Sequence, residues 1–157
     1  MGHGQSVSEV GGLGKRRENA TELVEPAVWS VRSRTSTLDS AMSHTVLIVD
    51  DHGTFRATAR ILLEAEGFQV VGEAEDGATA VMEACRLRPD LVLLDVQLPD
   101  TDGFHVADEI TRYPNPPAVI LVSSHDSSDF GSLITQSPAR GFVPKAELCG
   151  ERVSALL

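Results

Sequence analysis

Aromatic residues are scarce in this chain: five Phe, one Tyr and one Trp amount to 4% of 157 residues. A core must therefore be built from Val, Leu, Ile and Ala, and a hydrophobic content of 41% is enough for one. Cysteine is nearly absent. Cys85 and Cys149 stand alone, with no Cys-X-X-Cys pair and no His at ligand spacing, so a thiolate metal site is not indicated. Both are read as reduced packing residues. No apolar run approaches the roughly 18 residues that span a bilayer, and the N-terminus lacks the apolar stretch of a signal peptide. No membrane contact and a cytoplasmic location are expected. Basic charge is also in short supply. Residues 1–41 hold five basic and five acidic groups, which cancel. The other eight basic and eighteen acidic residues lie in 42–157 and carry the whole formal charge of −10. Such a surface repels nucleic acid phosphates, and no direct DNA binding by this chain is expected.

The chain divides into two regions. Residues 1–43 are rich in Gly, Ser, Thr and mixed charge, with five glycines in the first fourteen positions and no persistent period. They are expected to form a disordered N-terminal arm, because they offer too little apolar surface to offset ordering entropy. Lys15-Arg16-Arg17 is read as a solvated run. Met42-Ser43-His44 directly precedes the first strong strand, and Met42 is a candidate natural start.

From residue 44 to 157, short apolar runs alternate with helix-length amphipathic segments. Thr45–Val49, Phe68–Ala74, Asp90–Asp95, Ala118–Ser123 and Gly141–Pro144 read as strands. Helices are predicted over Thr54–Glu66, with Phe55, Ala59, Leu62 and Leu63 inward, and over Gly77–Leu87, Phe104–Thr111, Asp129–Gln136 and Glu147–Leu157. Pro89 and the Pro114–Pro117 stretch end two of them. Five βα units in order predict an α/β fold with a doubly wound, five-stranded parallel sheet in a flavodoxin-like (βα)5 three-layer sandwich. Ligands in such sheets gather at the carboxyl ends of the strands.

Asp50 and Asp51 follow the first strand, Asp95 ends the third, Ser123 ends the fourth and Lys145 follows the fifth. All fall at that carboxyl edge. Three neighbouring carboxylates repel one another unless a cation joins them. Hard oxygen ligands suit Mg²⁺, which also accepts a phosphoryl oxygen. A Lys and a hydroxyl beside the cluster complete a pocket for a phosphoryl group, and one carboxylate is then the nucleophile, forming an acyl phosphate.

The segments LIVDDH (47–52), LVLLDVQLPDTDGF (91–104), LVSS (121–124) and GFVPK (141–145) resemble the receiver domain of bacterial response regulators in two-component signalling. The resemblance covers about residues 44–150. It implies that Asp95 is the phosphoacceptor and that Mg²⁺ is held by Asp51 directly, by Asp50 mainly through water, by Asp95, and by the backbone carbonyl of Gln97. It implies that Ser123 donates its hydroxyl to the phosphoryl group and moves toward it, that Lys145 pairs with another phosphoryl oxygen, and that the Phe142 ring follows the Ser123 movement. The implied partners are a sensor histidine kinase or phosphotransfer protein and a downstream protein effector, with homodimerisation compatible with the same surface. Catalysis is expected only of the chain's own phosphorylation and dephosphorylation. The family often has Pro after this Lys, whereas here Ala146 follows and Pro144 precedes. That pattern resembles the subgroup joined to helix-turn-helix output domains, yet twelve residues follow Lys145, room for one helix and no output domain.

Plainer readings exist for the same residues. Asp50 or Asp51 could cap the following helix, Ser123 could satisfy loop backbone, and Phe142 could be core. Pro99 with Asp100–Gly103 reads as turn chemistry, and His125 as a loop residue near the pocket entrance. Two rival functions are a pseudo-receiver that acts as a phosphorylation-independent interaction module and an aspartate-nucleophile phosphatase. The complete acid, hydroxyl and Lys set opposes the first. Gln97, standing where a second nucleophile-motif Asp is wanted, opposes the second.

Overall fold

The computed structural model describes residues 43–157. The arm expected over 1–43 lies, up to and including Met42, outside the described residues. Five parallel strands form one sheet in the order β2-β1-β3-β4-β5: β1 Thr45–Val49, β2 Gln69–Ala74, β3 Leu91–Asp95, β4 Ala118–Ser123 and β5 Gly141–Pro144. The helices are α1 Gly53–Ala65, α2 Gly77–Leu87, α3 Gly103–Thr111, α4 Ser132–Gln136 and α5 Gly150–Ala155, with 3₁₀ turns at Ser127–Asp129 and Lys145–Glu147. This is the α/β sandwich predicted from the alternating pattern.

Period-two alternation along buried strands sorts their side chains to two faces. Leu47, Val49, Val92, Leu94, Val119 and Leu121 face α2 and α3, meeting Ala80, Ala84, Val106, Ala107 and Ile110. Val46, Ile48, Leu93, Ile120, Val122 and Val143 face the other way, onto Ala59 and Leu63 of α1 and Val153 of α5. Each fully buried aliphatic side chain contributes roughly 1.5–3 kcal/mol relative to exposure. With aromatics so few, these two aliphatic layers hold the sheet.

Local signals set the element ends. The Asp76 side chain accepts from the Thr79 amide at 2.7 Å and caps α2, and Asp102 accepts from the His105 amide at 2.9 Å and caps α3. Arg88, in the left-handed region at φ 48°, closes α2 just before Pro89. Backbone bonds extend the ladder one residue beyond two strands, Asp50 N to Ala74 O at 3.0 Å and Val96 N to Val122 O at 2.9 Å. The residues that follow β1 and end β3 are thereby fixed to the sheet.

Several boundaries differ from the predicted ones. The segment 129–136 is not one helix: it is a 3₁₀ turn and a separate short helix, divided at Gly131, whose φ is 53°. The last helix does not start at Glu147. Leu148 takes an extended conformation and turns into the core, so α5 begins only at Gly150, where the chain packs against the Glu66 side chain and a Cβ would collide with it. Leu62, predicted inward, is exposed on α1, because Ala59 and Leu63 already fill the contact with the sheet. Cys85, read as packing, is exposed on α2, while Cys149 is half-buried; both are free thiols. A register shift between Val46 and Leu47 places a bulge in β2.

Candidate functional site

The chain leaves β1 toward β2 on one side, then returns to β3 on the other, so a crevice opens at the carboxyl ends of β1 and β3. Three polar side chains are buried among the described residues: Asp50, Asp95 and Ser123, at 0%, 2% and 0% exposure. All three stand at this edge. Lys145, at the end of β5, reaches across to donate to Asp95 Oδ2 at 3.2 Å. Its Nζ also lies 2.5 Å from the buried Asp50 Oδ2 and forms an ion pair with it. The Lys145 ammonium rests 4.6 Å from the centre of the Phe55 ring.

Ligand atoms from Asp50, Asp51, His52 and Asp95 all lie within 4.8 Å of one another. Asp50 Oδ1 accepts from the His52 amide at 2.8 Å, and His52 Nδ1 stands 3.1 Å from that oxygen and 2.9 Å from Asp51 Oδ1. Neither Asp50 nor Asp51 caps α1, whose N-cap is His52 with no side-chain cap bond. Burial, then the negative charge of Asp50, push the Asp95 carboxyl above its usual range, against the pull of Lys145 and of the Gln97 amide. Three carboxylates against one ammonium leave a surplus of about two negative charges at this edge. A hard divalent cation fits this donor set.

Gln97, named from the sequence for its carbonyl, is exposed; its amide donates to Asp95 Oδ1 at 3.2 Å, and it bridges to Asp102 across the tight loop after β3. That loop is held from two sides. Asp100 accepts from the Gly77 and Ala78 amides at 2.8 and 3.0 Å, tying the loop to the start of α2. Gly103 packs directly on the Asp95 carbonyl oxygen, where a Cβ would collide with backbone. Ser123 Oγ accepts from the His125 amide at 3.1 Å and so satisfies loop backbone in this conformation. Phe142 is half-buried, its ring 5.7 Å from Phe130, which also meets Phe104 at 5.8 Å and His125 at 6.4 Å.

Sequence reasoning missed four contributors. His52 was visible beside two Asp residues, but its ring direction was not. Phe55 and Arg56 lie one turn into α1; Arg56 donates to the Asp50 carbonyl at 2.6 Å and to Glu73 at 2.9 Å. Phe130, the hub of the aromatic group, had no local signal.

Comparison with known proteins agrees with the geometry. The response regulator receiver domain model matches residues 46–154. The chain is 36% identical over 114 residues to the virulence-factor transcription regulator BvgA of Bordetella pertussis, covering 73% of this chain and 54% of that protein. It spans about half the length of the curated relatives it matches. The signal receiver domain of the response regulator NarL from Mycobacterium tuberculosis superposes with a TM-score of 0.65 at 33% identity, covering 73% of this chain and 96% of that one. The CheX–CheY–BeF3–Mg²⁺ complex from Borrelia burgdorferi gives 0.63 at 26% identity, covering 71% and 84%. This chain belongs to the response regulator receiver domain family of two-component signalling.

Proposed function

We propose that the domain takes a phosphoryl group on Asp95 from a phosphohistidine of a sensor kinase or phosphotransfer protein and changes conformation for a protein effector. The observation that carries this reading is the buried Asp95 carboxylate, hydrogen-bonded to Lys145 at 3.2 Å with Asp50 and Asp51 gathered beside it. In the transfer, the P–N bond breaks and leaves its electron pair on the imidazole nitrogen, while a P–O bond forms to an Asp95 oxygen. Lys145 offsets charge on one phosphoryl oxygen, and Ser123 donates its hydroxyl to another once it gives up the His125 amide. Asp50, Asp51, Asp95 and the Gln97 carbonyl would hold a Mg²⁺ ion, which would supply further charge compensation, in keeping with the Mg²⁺ in the Borrelia complex.

The site opens on a groove of about 480 Å³ lined by Phe55, Thr58, Leu62, Ser124, Lys145 and Ala146, which offers the donor imidazole an approach. Hydrolysis returns the carboxylate and inorganic phosphate, so the domain catalyses only its own phosphorylation and dephosphorylation. Phosphorylation adds charge of roughly −1.5 to −2, drawing Ser123 inward and freeing room for Phe142 and its partner ring Phe130. The surface around β5 and α5 then differs for the effector. No described helix is long and apolar enough to cross a membrane, and the reading places the protein in the cytoplasm, where its kinase's phosphohistidine is presented.

Intact-mass measurement after incubation with acetyl phosphate tests this reading. Wild type is expected to gain one phosphoryl group with Mg²⁺ and none without it, and Asp95→Asn none in either case. An unmodified wild type that also fails to bind Mg²⁺ replaces this reading with a phosphorylation-independent interaction module.

A further inference from the structure

A cavity of about 140 Å³ opens at the amino edge of the sheet, between the end of α2 and the turn that joins α3 to β4. Pro89, Pro114, Pro116 and Pro117 line it together with the buried Ala84 and Ile110. Apolar cavities of about 150 Å³ take a benzene ring, so there is room here for one six-membered aromatic ring. The wall is preformed. Proline rings fix φ, and the two non-glycine residues with left-handed backbone among the described residues, Arg88 at φ 48° and Asn115 at φ 55°, both line it. A wall that needs no ordering spares a small ligand much of its binding cost.

Two further lining residues give the cavity its chemistry. Tyr113, the one Tyr of an aromatic-poor chain, is 47% exposed and offers a ring face. Arg88 offers a charge without an answer. Arg56, Arg60, Arg86 and Arg152 are each paired with a Glu, and Arg140 donates to the Leu157 carbonyl. Arg88 has no such partner among the described residues, in a chain of formal charge −10 where acidic groups abound. A guanidinium presents a planar fork that matches a carboxylate through two parallel hydrogen bonds. We propose that this cavity binds a small monocyclic aromatic carboxylate, its ring among Ile110, Tyr113 and the prolines and its carboxylate on Arg88. The cavity shares no residue with the acidic cluster, so the proposal stands apart from phosphoryl transfer.

Amide chemical shifts of the full ¹⁵N-labelled chain, titrated with benzoate and separately with benzyl alcohol, test it. Benzoate is expected to move the Cys85, Arg88, Ile110 and Tyr113 amides saturably, with a Kd on the order of 1 mM, as suits a ligand of this size. Benzyl alcohol keeps the ring and lacks the charge, and is expected to bind about fivefold more weakly, the worth of a solvent-exposed charge pair. Arg88→Gln is expected to remove that preference, weakening benzoate about fivefold and changing benzyl alcohol by less than about twofold. Tyr113→Ala is expected to weaken both ligands. Both side chains are exposed, and each variant's own spectrum shows whether it is folded. The wild-type comparison of the two ligands decides without any variant. No saturable shift with benzoate, shifts centred on another surface, equal affinity for the two ligands, or a preference that survives in folded Arg88→Gln would each overturn the proposal.

Discussion

Lys145 and Asp95, fifty residues apart in the chain, meet in a hydrogen bond of 3.2 Å at the carboxyl edge of the sheet. The same ammonium is the counter-charge of Asp50. Lys145 is 13% exposed and the two carboxylates are almost fully buried, so the contact is little screened by solvent. Replacement by Met is expected to leave two adjacent buried carboxylates unopposed, lowering stability by about 3–5 kcal/mol in urea unfolding without metal. Millimolar Mg²⁺ is expected to recover part of the loss. An unchanged midpoint contradicts this account of the edge.

Gly103 is expected to tolerate no side chain. A Cβ there meets the Asp95 carbonyl oxygen and the Val96 Cα, which are backbone and cannot turn aside. Gly103→Ala therefore has to displace β3 or the loop that carries Gln97, at a cost of roughly 1–3 kcal/mol, the usual cost of overpacking. Acetyl phosphate labelling of this variant is expected to slow together with the loss of stability. Normal labelling with wild-type stability contradicts the close approach.

Two acids give the domain a defined response to low pH. Asp100 is held below its usual range by hydrogen bonds from the Gly77 and Ala78 amides, which outweigh its partial desolvation. Burial pushes Glu73 up, but hydrogen bonds and charge from Arg60 and Arg56 prevail and hold it below the usual range. A folded-state pKa that is depressed stabilises the fold above the unfolded value, and that contribution is lost as pH falls through the folded value. The unfolded references are 3.8 for Asp and 4.5 for Glu. Urea midpoints are thus expected to fall as pH drops below about 4.5, and Asp100→Ala is expected to flatten the lower part of that fall. A variant with the wild-type pH profile contradicts the cap.

Phe130 is the ring on which Phe104, Phe142 and His125 converge. It is half-buried, so Phe130→Ala is expected to cost about 1–2 kcal/mol, less than the 3–5 of a fully buried Phe. Labelling of Asp95 is expected to persist, because the hydrogen bonds of its carboxylate go to Lys145 and the Gln97 amide and not to this group. The Phe142 ring resonances in NMR are expected to shift without phosphate and to respond less to it. Unchanged resonances contradict the hub.

The parts legible in the sequence were those with local signatures. Continuous apolar runs at 45–49, 91–95 and 118–123 marked strands covered on both faces, and the polar residues at their ends marked one edge. Asp50, Asp95, Ser123 and Lys145 lie together because a parallel sheet brings all its carboxyl ends to one side. What remained hidden depends on packing across long sequence distances. The inward turn of Leu148, which delays α5 to Gly150, is decided by room in the core beside Val153. Helical period alone points Leu62 inward, and period cannot tell which of two adjacent leucines the sheet has space for. Asp100 looked like turn chemistry, and its role as a cap needs Gly77, twenty-three residues earlier. The direction of the His52 ring is set by carboxylates whose own positions only the folded edge defines.

Asp95, and no other carboxylate of the cluster, is expected to take the phosphoryl group. Borohydride reduction of the acetyl phosphate-treated protein, followed by peptide mass mapping, decides this, because it converts an aspartyl phosphate to homoserine and fixes its position. Homoserine at residue 95, formed only with Mg²⁺, is the expected result. Homoserine at residue 50 or 51, or at no position in a protein that has gained phosphoryl mass, contradicts the claim.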